Sequence, residues 1–217
     1  MKNILNTGKK GFTLIEILVV IGIIAVLSGA LMAGFGHVTK SAQRARATEA
    51  VSQSAQALAI LRQLNDNRWP PVLSSYGGTD GSGKGMVEAV AREFAKQAKE
   101  MNRPPLLGIA VDSDGKPIGI SRFGVVDPWA EAVLKGNKEA SIGSKVPSGG
   151  TVQDHIIYFA VDTDHDGITT ASVGGQQVNV RAEAIAWCAG ADGKIAPYSQ
   201  RGRSDDIYSW DKAKEKR

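Results

Sequence analysis

The chain has 217 residues, of which 42% are hydrophobic and 22% charged, so it can bury a core and wholesale disorder is excluded. The formal net charge is +4, but Lys2, Lys9 and Lys10 all precede Gly11 and no acidic residue does. Removing these three from the 26 basic residues leaves 23, against 22 acidic residues, a net of +1. This balance excludes a basic nucleic-acid binder, so no nucleic-acid partner is expected. Cys188 is the only cysteine, which excludes an intrachain disulfide.

A long apolar segment follows the N-terminal lysines. Residues 12–36 are apolar or small, apart from Thr13, Glu16 and Ser28. Residues 17–36 alone give about 30 Å of uncharged helix, which is enough to cross the hydrocarbon core of a bilayer. Lysines before the segment and none within it favour a cytoplasmic N-terminus. We therefore predict one transmembrane helix over residues 12–36.

Glu16 is difficult to reconcile with an ordinary N-terminal anchor. A secretory signal would have a shorter apolar region followed by a cleavage site between small residues, so it does not fit the length. A plain anchor explains the length and the lysines, but an unpaired carboxylate costs roughly 2.5 to 3.5 kcal/mol at the centre of a bilayer. That cost is smaller near a helix end, so an uncleaved anchor stays open as an alternative.

Residues 8–21 read GKKGFTLIEILVVI. This stretch resembles the class III signal of type IV pilins and pseudopilins, in which a basic leader ends in Gly and Phe-Thr-Leu-Ile-Glu opens an apolar helix. The resemblance implies that a prepilin peptidase cuts after Gly11, which makes residues 1–11 a cleaved leader. It also implies that Phe12 becomes the N-methylated terminus. In that family, the glutamate at the Glu16 position is implicated in assembly with a neighbouring subunit's terminal amine.

The charges at the two positions suit that role. Cleavage would create an ammonium at Phe12, and a carboxylate in a low dielectric attracts such a cation strongly. Helices staggered along an axis could bring Glu16 of one chain to Phe12 of the next. Within one chain the two residues are four apart and could also pair. The sequence leaves both arrangements open.

The helical pattern continues over residues 37–68 as an amphipathic helix, and the Trp69–Pro71 segment ends it. We expect one helix from about Phe12 to about Leu64. Its apolar face recurs every three or four residues, at Ala47, Val51, Ala55, Leu58 and Leu61.

Residues 69–217 are predicted to form a globular head. A second amphipathic helix is predicted over 87–101, and residues 136–151 form a polar loop. A long helix followed by strands predicts the α+β class, with a pilin-like N-terminal helix packed on an antiparallel sheet. The predicted strands are 107–111 and 118–121, joined by a hairpin turn at Asp112–Gly115, then 155–161, 168–173 and 178–188.

Two acidic loops are candidate calcium sites. The first contains Asp162, Asp164 and Asp166, followed by Gly167, which is the first half of an EF-hand calcium loop. The twelfth position holds Val173 instead of the bidentate glutamate, so a complete EF-hand is excluded. The same residues also make a good polar turn between strands, and the sequence leaves both interpretations open.

The second loop lies near the C-terminus. The sequence Ala-Gly-Ala-Asp-Gly at 189–193 and the later Asp-Asp-Ile resemble the ending of major pseudopilins of type II secretion. The resemblance implies a calcium-binding loop, with Asp205 and Asp206 as candidate ligands and Asp192 as a further one. Two arginines in this loop oppose a cation or, alternatively, pair with the aspartates. The Asp127–Trp129 segment also resembles an Asp-Pro-Trp-Gly element of that family.

No enzymatic motif is present. The chain has no P-loop, no G-x-S-x-G and no H-E-x-x-H, and His37, His155 and His165 do not show zinc spacing. Cys188 alternates onto the predicted core face of its strand, where a cysteine behaves as a small hydrophobe.

The sequence therefore predicts a structural protein that is not an enzyme. We expect a precursor matured after Gly11 into a subunit of a type II secretion pseudopilus or a type IV pilus-like filament. The resemblance implies a single-pass inner-membrane precursor with a periplasmic head, and then a periplasmic or surface filament. Implied partners are further copies of the chain, minor subunits, the prepilin peptidase and inner-membrane assembly machinery. Calcium is the only cofactor suggested. The alternative is a periplasmic binding or enzymatic domain on an uncleaved anchor.

Overall fold

A computed structural model describes residues 12–76, 88–102, 106–107, 112, 114, 118, 123–137 and 139–211. The side chains of 30–37, 74–76 and 88–89 are not described. The predicted leader, residues 1–11, and most of the first two predicted strands lie outside the described residues. The chain divides into two compact units, Met1–Ala42 and Gln43–Arg217, and each is described by itself.

The longest element is α1 (Leu14–Leu64), which begins and ends within two residues of its predicted limits. In the second unit it buries one face at three- and four-residue spacing. Ser54 lies on this face and is fully buried, whereas the predicted Ala55 is half-buried. The Ser54 hydroxyl donates a 2.7 Å hydrogen bond to the carbonyl of Ala50, so a polar side chain is accommodated in the core. The buried residues of α1 in this unit are Ala47, Val51, Ser54, Ala57, Leu58 and Leu61.

Three shorter helices follow: α2 (Pro71–Tyr76), α3 (Glu88–Glu100) and α4 (Pro128–Gly136). The predicted second amphipathic helix is confirmed as α3, which buries Val90, Ala91, Phe94 and Ala95. The helix α4 was not predicted from the sequence. Its local signal is Asp127 before Pro128, because an aspartate N-cap followed by proline at the first helical position favours a helix start.

The strands form two antiparallel sheets. β1 (Tyr158–Val161), β4 (Ala184–Cys188) and β5 (Ile207–Tyr208) make a three-stranded sheet in the order β1-β4-β5. β2 (Thr169–Val173) and β3 (Gln176–Val180) make a separate two-stranded hairpin. The α+β class is confirmed, and the described residues form two sheets where the sequence predicted one.

The predicted strand 178–188 is broken in the middle. Residues 181–183 are irregular, and the Ala182 amide donates to the Val180 carbonyl at 2.9 Å, which turns the chain between β3 and β4. The predicted strand 155–161 also starts later, at Tyr158, because a 3-10 turn occupies Val152–His155. Alternation alone could not locate the break, because β3 and β4 have the same period of two on either side of it.

β4 is buried on both faces because the head contains two hydrophobic clusters. Ala186 and Cys188 belong to the first cluster, which packs α1, α2, α3 and α4 against β1 and β4. Ile185 and Trp187 belong to the second cluster, which β2, β3 and β5 complete. The predicted core face of β4 is therefore confirmed, but the opposite face, which the pattern left unassigned, is buried as well.

The described part of α1 in the second unit offers a matched pair of test positions. Leu61 is fully buried and Ile60 is 39% exposed. We expect Leu61→Ala to lower the free energy of unfolding by about 2 to 5 kcal/mol, because it leaves a cavity in the first cluster. Ile60→Ala should change it by about 0.5 kcal/mol or less. Equal losses in denaturant unfolding would contradict the assignment of the buried face.

Candidate assembly and metal sites

Glu16 takes part in a capping box at the start of α1. The backbone N–H and the hydroxyl of Thr13 donate to Oε2 of Glu16, at 2.7 Å and 2.9 Å. The Glu16 amide in turn donates to the Thr13 hydroxyl oxygen at 3.3 Å. This reciprocal arrangement satisfies donors that a helix start otherwise leaves unpaired. This capping box was not predicted, although Thr-x-x-Glu before an apolar run is its usual signal.

The capping box leaves part of the Glu16 carboxylate available. Both bonds from Thr13 end on Oε2. Among the described residues no donor reaches the other oxygen, Oε1. A carboxylate oxygen can accept more than one hydrogen bond, so Glu16 can hold its own helix start and still accept from a partner.

The N-terminal part of α1 presents apolar side chains on every side. Each described side chain from residue 12 to residue 29 is exposed, and Phe12 itself is 84% exposed. A helix that is apolar all round requires burial against something outside itself, either other helices or lipid. The large apolar side chains concerned are Phe12, Leu14, Ile15, Ile17, Leu18, Val19, Val20, Ile21, Ile23, Ile24, Val26 and Leu27.

Across the residues that the structure describes, no helix combines the length and the apolar character needed to span a bilayer.

Two predictions concern parts of the chain outside the described residues. Gly11, the predicted cleavage position, precedes the first described residue. The predicted span over residues 12–36 includes the undescribed side chains of 30–36. Both stay predictions.

A buried ion pair joins α4 to the chain segment before β1. Nδ1 of His155 lies 2.7 Å from Oδ2 of Asp127, and both side chains are fully buried. The other carboxylate oxygen, Oδ1, accepts from the amides of Trp129 and Ala130, at 3.0 Å and 3.1 Å, and so caps α4. The Asp127 amide also donates to the His155 carbonyl at 2.9 Å, so backbone and side chains hold the same two residues together.

The surroundings of the ring favour a protonated histidine. Nε2 of His155 lies 2.9 Å from the carbonyl oxygen of Gly149, so both ring nitrogens face acceptors. Burial works to lower the pKa of His155, but the Asp127 carboxylate and the Gly149 carbonyl outweigh it and hold the pKa above its ordinary value. Burial raises the pKa of Asp127 above its ordinary value, although the His155 ring and two amides act against that rise.

In the described part of the chain, no hydroxyl or thiol bonds to the ring, and both ring nitrogens face acceptors of the fold. A catalytic histidine needs one ring nitrogen directed at a nucleophile or a substrate proton, and here the main chain occupies Nε2. Gly193 closes the site, because a Cβ added there would come within 3.1 Å of Nε2. Cys188 is likewise fully buried. Burial is the main reason that the pKa of its thiol is raised to about 12, so the thiol is not an activated nucleophile.

The loop after β1 brings three carboxylates together. One oxygen each from Asp162, Asp164 and Asp166 lies within 4.8 Å of the others. Within the described ranges this is the only such group of three or more His, Cys, Asp or Glu side chains. Asp162 is buried and the other two are exposed. His165 and Gly167, at φ 61° and 81°, bend the chain around the group.

The Asp162 carboxylate is only partly satisfied. Oδ2 accepts the Gly167 amide at 2.9 Å, but Oδ1 is buried and has no hydrogen-bond partner in the described part of the chain. Burial works to raise the pKa of Asp162, yet hydrogen bonds from backbone amides, that of Gly167 first among them, hold it below its ordinary value.

The predicted ligands of the C-terminal loop do not gather in this way. Oδ2 of Asp205 accepts from the amides of Ala191 and Asp192, at 2.6 Å and 3.2 Å. Oδ2 of Asp206 accepts from the Ala196 amide and, at 3.1 Å, from the Tyr208 hydroxyl. These carboxylates thus brace the loop through its own donors.

Two further features of this loop bear on a cation. Oδ1 of Asp206 is buried without a partner among the described residues. Oδ1 of Asp192 accepts from the Lys194 amide at 2.8 Å. Arg201 pairs with Asp211 at 3.7 Å and lies over the ring of Tyr198, so it does not neutralise the predicted ligands. Calcium at Asp192, Asp205 and Asp206 stays a prediction.

Comparison with known proteins gives one match. A family model described as the prokaryotic N-terminal methylation motif matches residues 6–32. The chain thus carries the class III signal of type IV pilins and pseudopilins. No curated protein and no solved structure matches the chain.

The buried pair makes stability depend on pH. Because the pKa of His155 is raised on folding, its contribution is complete below the ordinary value of 6.5 and is lost as the pH rises through the raised value. We expect His155→Gln to lower the free energy of unfolding by about 3 to 5 kcal/mol at pH 6, since it leaves Asp127 buried without its counter-charge. The deficit should shrink above pH 6.5.

The matched control is His165→Asn, which keeps the positive φ of an exposed position, because asparagine tolerates that conformation. It should leave the pH profile of the melting temperature unchanged. A His155→Gln deficit that stays constant from pH 6 to alkaline pH would contradict a protonated buried histidine.

Proposed function

We propose that this chain, which carries the N-terminal methylation motif of type IV prepilins, is the precursor of a structural subunit of a helical filament. The observation that carries the proposal is the matched motif at residues 6–32, within which the helix exposes its described side chains on every side. An isolated chain cannot cover this apolar surface. Neighbouring copies of the same helix can cover it in a filament core, and lipid can cover it before assembly.

In this proposal a prepilin peptidase cuts after Gly11 and leaves an ammonium at Phe12. The capping box already directs the Glu16 carboxylate toward the N-terminal end of α1 and uses only Oε2. Oε1 then accepts the ammonium of a neighbouring subunit. Pairing of the two charges offsets part of the cost of removing each from water.

The cellular setting follows from the same signal. The precursor is held in the inner membrane by residues 12–36, with its head in the periplasm, and afterwards enters a periplasmic or surface filament. The prepilin peptidase, inner-membrane assembly machinery and minor subunits are its partners. Between the two filament types we favour the type II secretion pseudopilus, because the Asp-Gly and Asp-Asp-Ile ending resembles major pseudopilins and the chain has no paired cysteines.

A membrane-anchored binding or enzymatic domain is the competing function. Asp127 and His155 are the described residues that most resemble a catalytic pair. Their hydrogen bonds are made to each other and to the main chain, so they hold the fold. Mass spectrometry of the protein isolated from membranes separates the two functions. We expect a terminus at methylated Phe12, and an intact Met1 on functional protein would contradict the subunit proposal.

The role of Glu16 can be separated into capping and charge pairing. Glu16→Gln keeps an oxygen that can accept from Thr13 but removes the charge, whereas Glu16→Val removes both. If the ammonium contact drives assembly, both variants should insert into the membrane normally and fail to form filaments. If only the cap matters, which is worth about 0.5 to 2 kcal/mol, Glu16→Gln should assemble like the unmodified chain.

Glu49→Gln is the matched control, because Glu49 is also an exposed glutamate of α1. It should assemble normally. Sedimentation of sheared filaments, together with membrane fractionation, measures both properties in the same cells. Normal filaments from Glu16→Gln would contradict the charge-pairing step while leaving the filament function itself intact.

A further inference from the structure

The loop 162–167 contains a negative charge that its surroundings do not balance. The Asp162 side chain is 2% exposed, and its oxygen Oδ1 is buried without a hydrogen-bond donor in the described part of the chain. An ionised carboxylate is costly to bury unless it is paired or fully hydrogen-bonded. Among the described residues, no basic side chain forms an ion pair with Asp162, Asp164 or Asp166.

The neighbouring carboxylates add to that imbalance. Asp164 and Asp166 place oxygens within 4.8 Å of the Asp162 ligand oxygen, and like charges so close repel each other. A divalent cation between them would reverse the sign of these interactions and place a positive charge beside the buried Asp162 carboxylate. Oxygen ligands alone, with no histidine or thiolate in the group, match the preference of calcium.

The loop is held by hydrogen bonds from the Gly167 and Ile168 amides to two of its carboxylates, and by main-chain contacts at Asp162. The Asp162 amide donates to the Glu183 carbonyl at 2.9 Å, and the Asp162 carbonyl accepts from the Trp69 indole at 2.5 Å. Arg62, at the end of α1, pairs with the Glu183 carboxylate at 3.3 Å and lies over the ring of Trp69. Arg62 is therefore paired with Glu183 and not with the loop carboxylates, and these contacts hold the start of the loop.

We propose that the carboxylates of Asp162, Asp164 and Asp166 bind a calcium ion. The site lacks the bidentate glutamate of an EF-hand, so its affinity should fall in the weak range of extracellular modules, with a Kd of about 0.1 to 1 mM. This site is distinct from the predicted C-terminal one, and it does not depend on the proposed filament function.

Terbium luminescence tests the site directly. Tb³⁺ replaces Ca²⁺ in oxygen sites, and Trp69, hydrogen-bonded to the main chain of Asp162, serves as the sensitiser. In the detergent-solubilised full chain, indole excitation should give terbium emission that millimolar CaCl₂ displaces. The emission should fall severalfold in Trp69→Phe, even though other tryptophans remain. Emission unaffected by Trp69→Phe would overturn the location.

Thermal unfolding with added CaCl₂ tests the ligands. At 10 mM CaCl₂ and a Kd of about 1 mM, the unfolding equilibrium constant should fall about tenfold and the melting temperature should rise. Asp164→Asn and Asp166→Asn, both at exposed positions, should remove this response without altering the melting temperature in chelator. MgCl₂ should act more weakly, because magnesium demands near-octahedral geometry.

Two control variants make the result specific. Asp112→Asn alters a comparable turn, in which Oδ1 of Asp112 accepts the Asp114 amide at 3.0 Å, and should keep the calcium response. Asp205→Asn should also keep it. A response lost in Asp205→Asn but retained in Asp164→Asn would overturn the proposal in favour of the C-terminal loop. No response to 10 mM CaCl₂, or an equal response to MgCl₂, would overturn it as well.

Discussion

The head depends on the contact between Asp127 and His155. One carboxylate caps α4 with one oxygen and holds the histidine ring with the other. The ring in turn holds the Gly149 carbonyl, and Gly193 packs against it from the C-terminal half of the chain. Segments far apart in sequence thus converge on a single imidazole. A buried charge pair favours the arrangement of segments that keeps both charges paired, because any other arrangement leaves an unpaired charge in the core.

The two hydrophobic clusters explain why the short sheet is stable. A three-stranded sheet whose last strand has only two residues makes too few hydrogen bonds to be stable without packing on its faces. β4 is the central strand and contributes to both clusters, so helices cover one face and the β2–β3 hairpin with its aromatic neighbours covers the other. Trp210 lies edge-on to Trp187 with ring centres 6.1 Å apart, and it packs against Tyr198 and Tyr208 at 5.8 and 5.0 Å, which closes the second cluster.

Much of this architecture could be predicted from the sequence, and the failures have physical reasons. Helical periodicity located α1 and α3 because their buried faces are long and regular. It assigned Ala55 to the buried face, but Ser54 is the buried residue. A serine hydroxyl that is bonded to a carbonyl of its own helix can be buried like an apolar group. α4 was missed because its nine residues are short and the Asp127 cap signal was read only as a family resemblance. The break between β3 and β4 was missed because two strands in phase look like one.

Some features of the candidate sites could likewise be predicted from the sequence, and others could not. Residue types and spacing marked Glu16 and the loop after β1, but spacing could not show that Oδ1 of Asp162 is buried without a donor. It also could not show that Asp205 and Asp206 brace their own loop. The buried Asp127–His155 pair had no signal in the sequence, because the two residues are 28 positions apart. Contacts of that kind depend on the fold and cannot be read from local pattern.

The capping box bears on how the proposed cleavage would affect the start of α1. Phe12 and Thr13 are not helical, and every donor and acceptor of the cap belongs to Thr13 or Glu16. Cleavage after Gly11, as proposed, would remove none of these groups. The cut would change the charge of the terminus and leave every donor and acceptor of the cap on the mature chain, so the same cap serves the chain before and after processing.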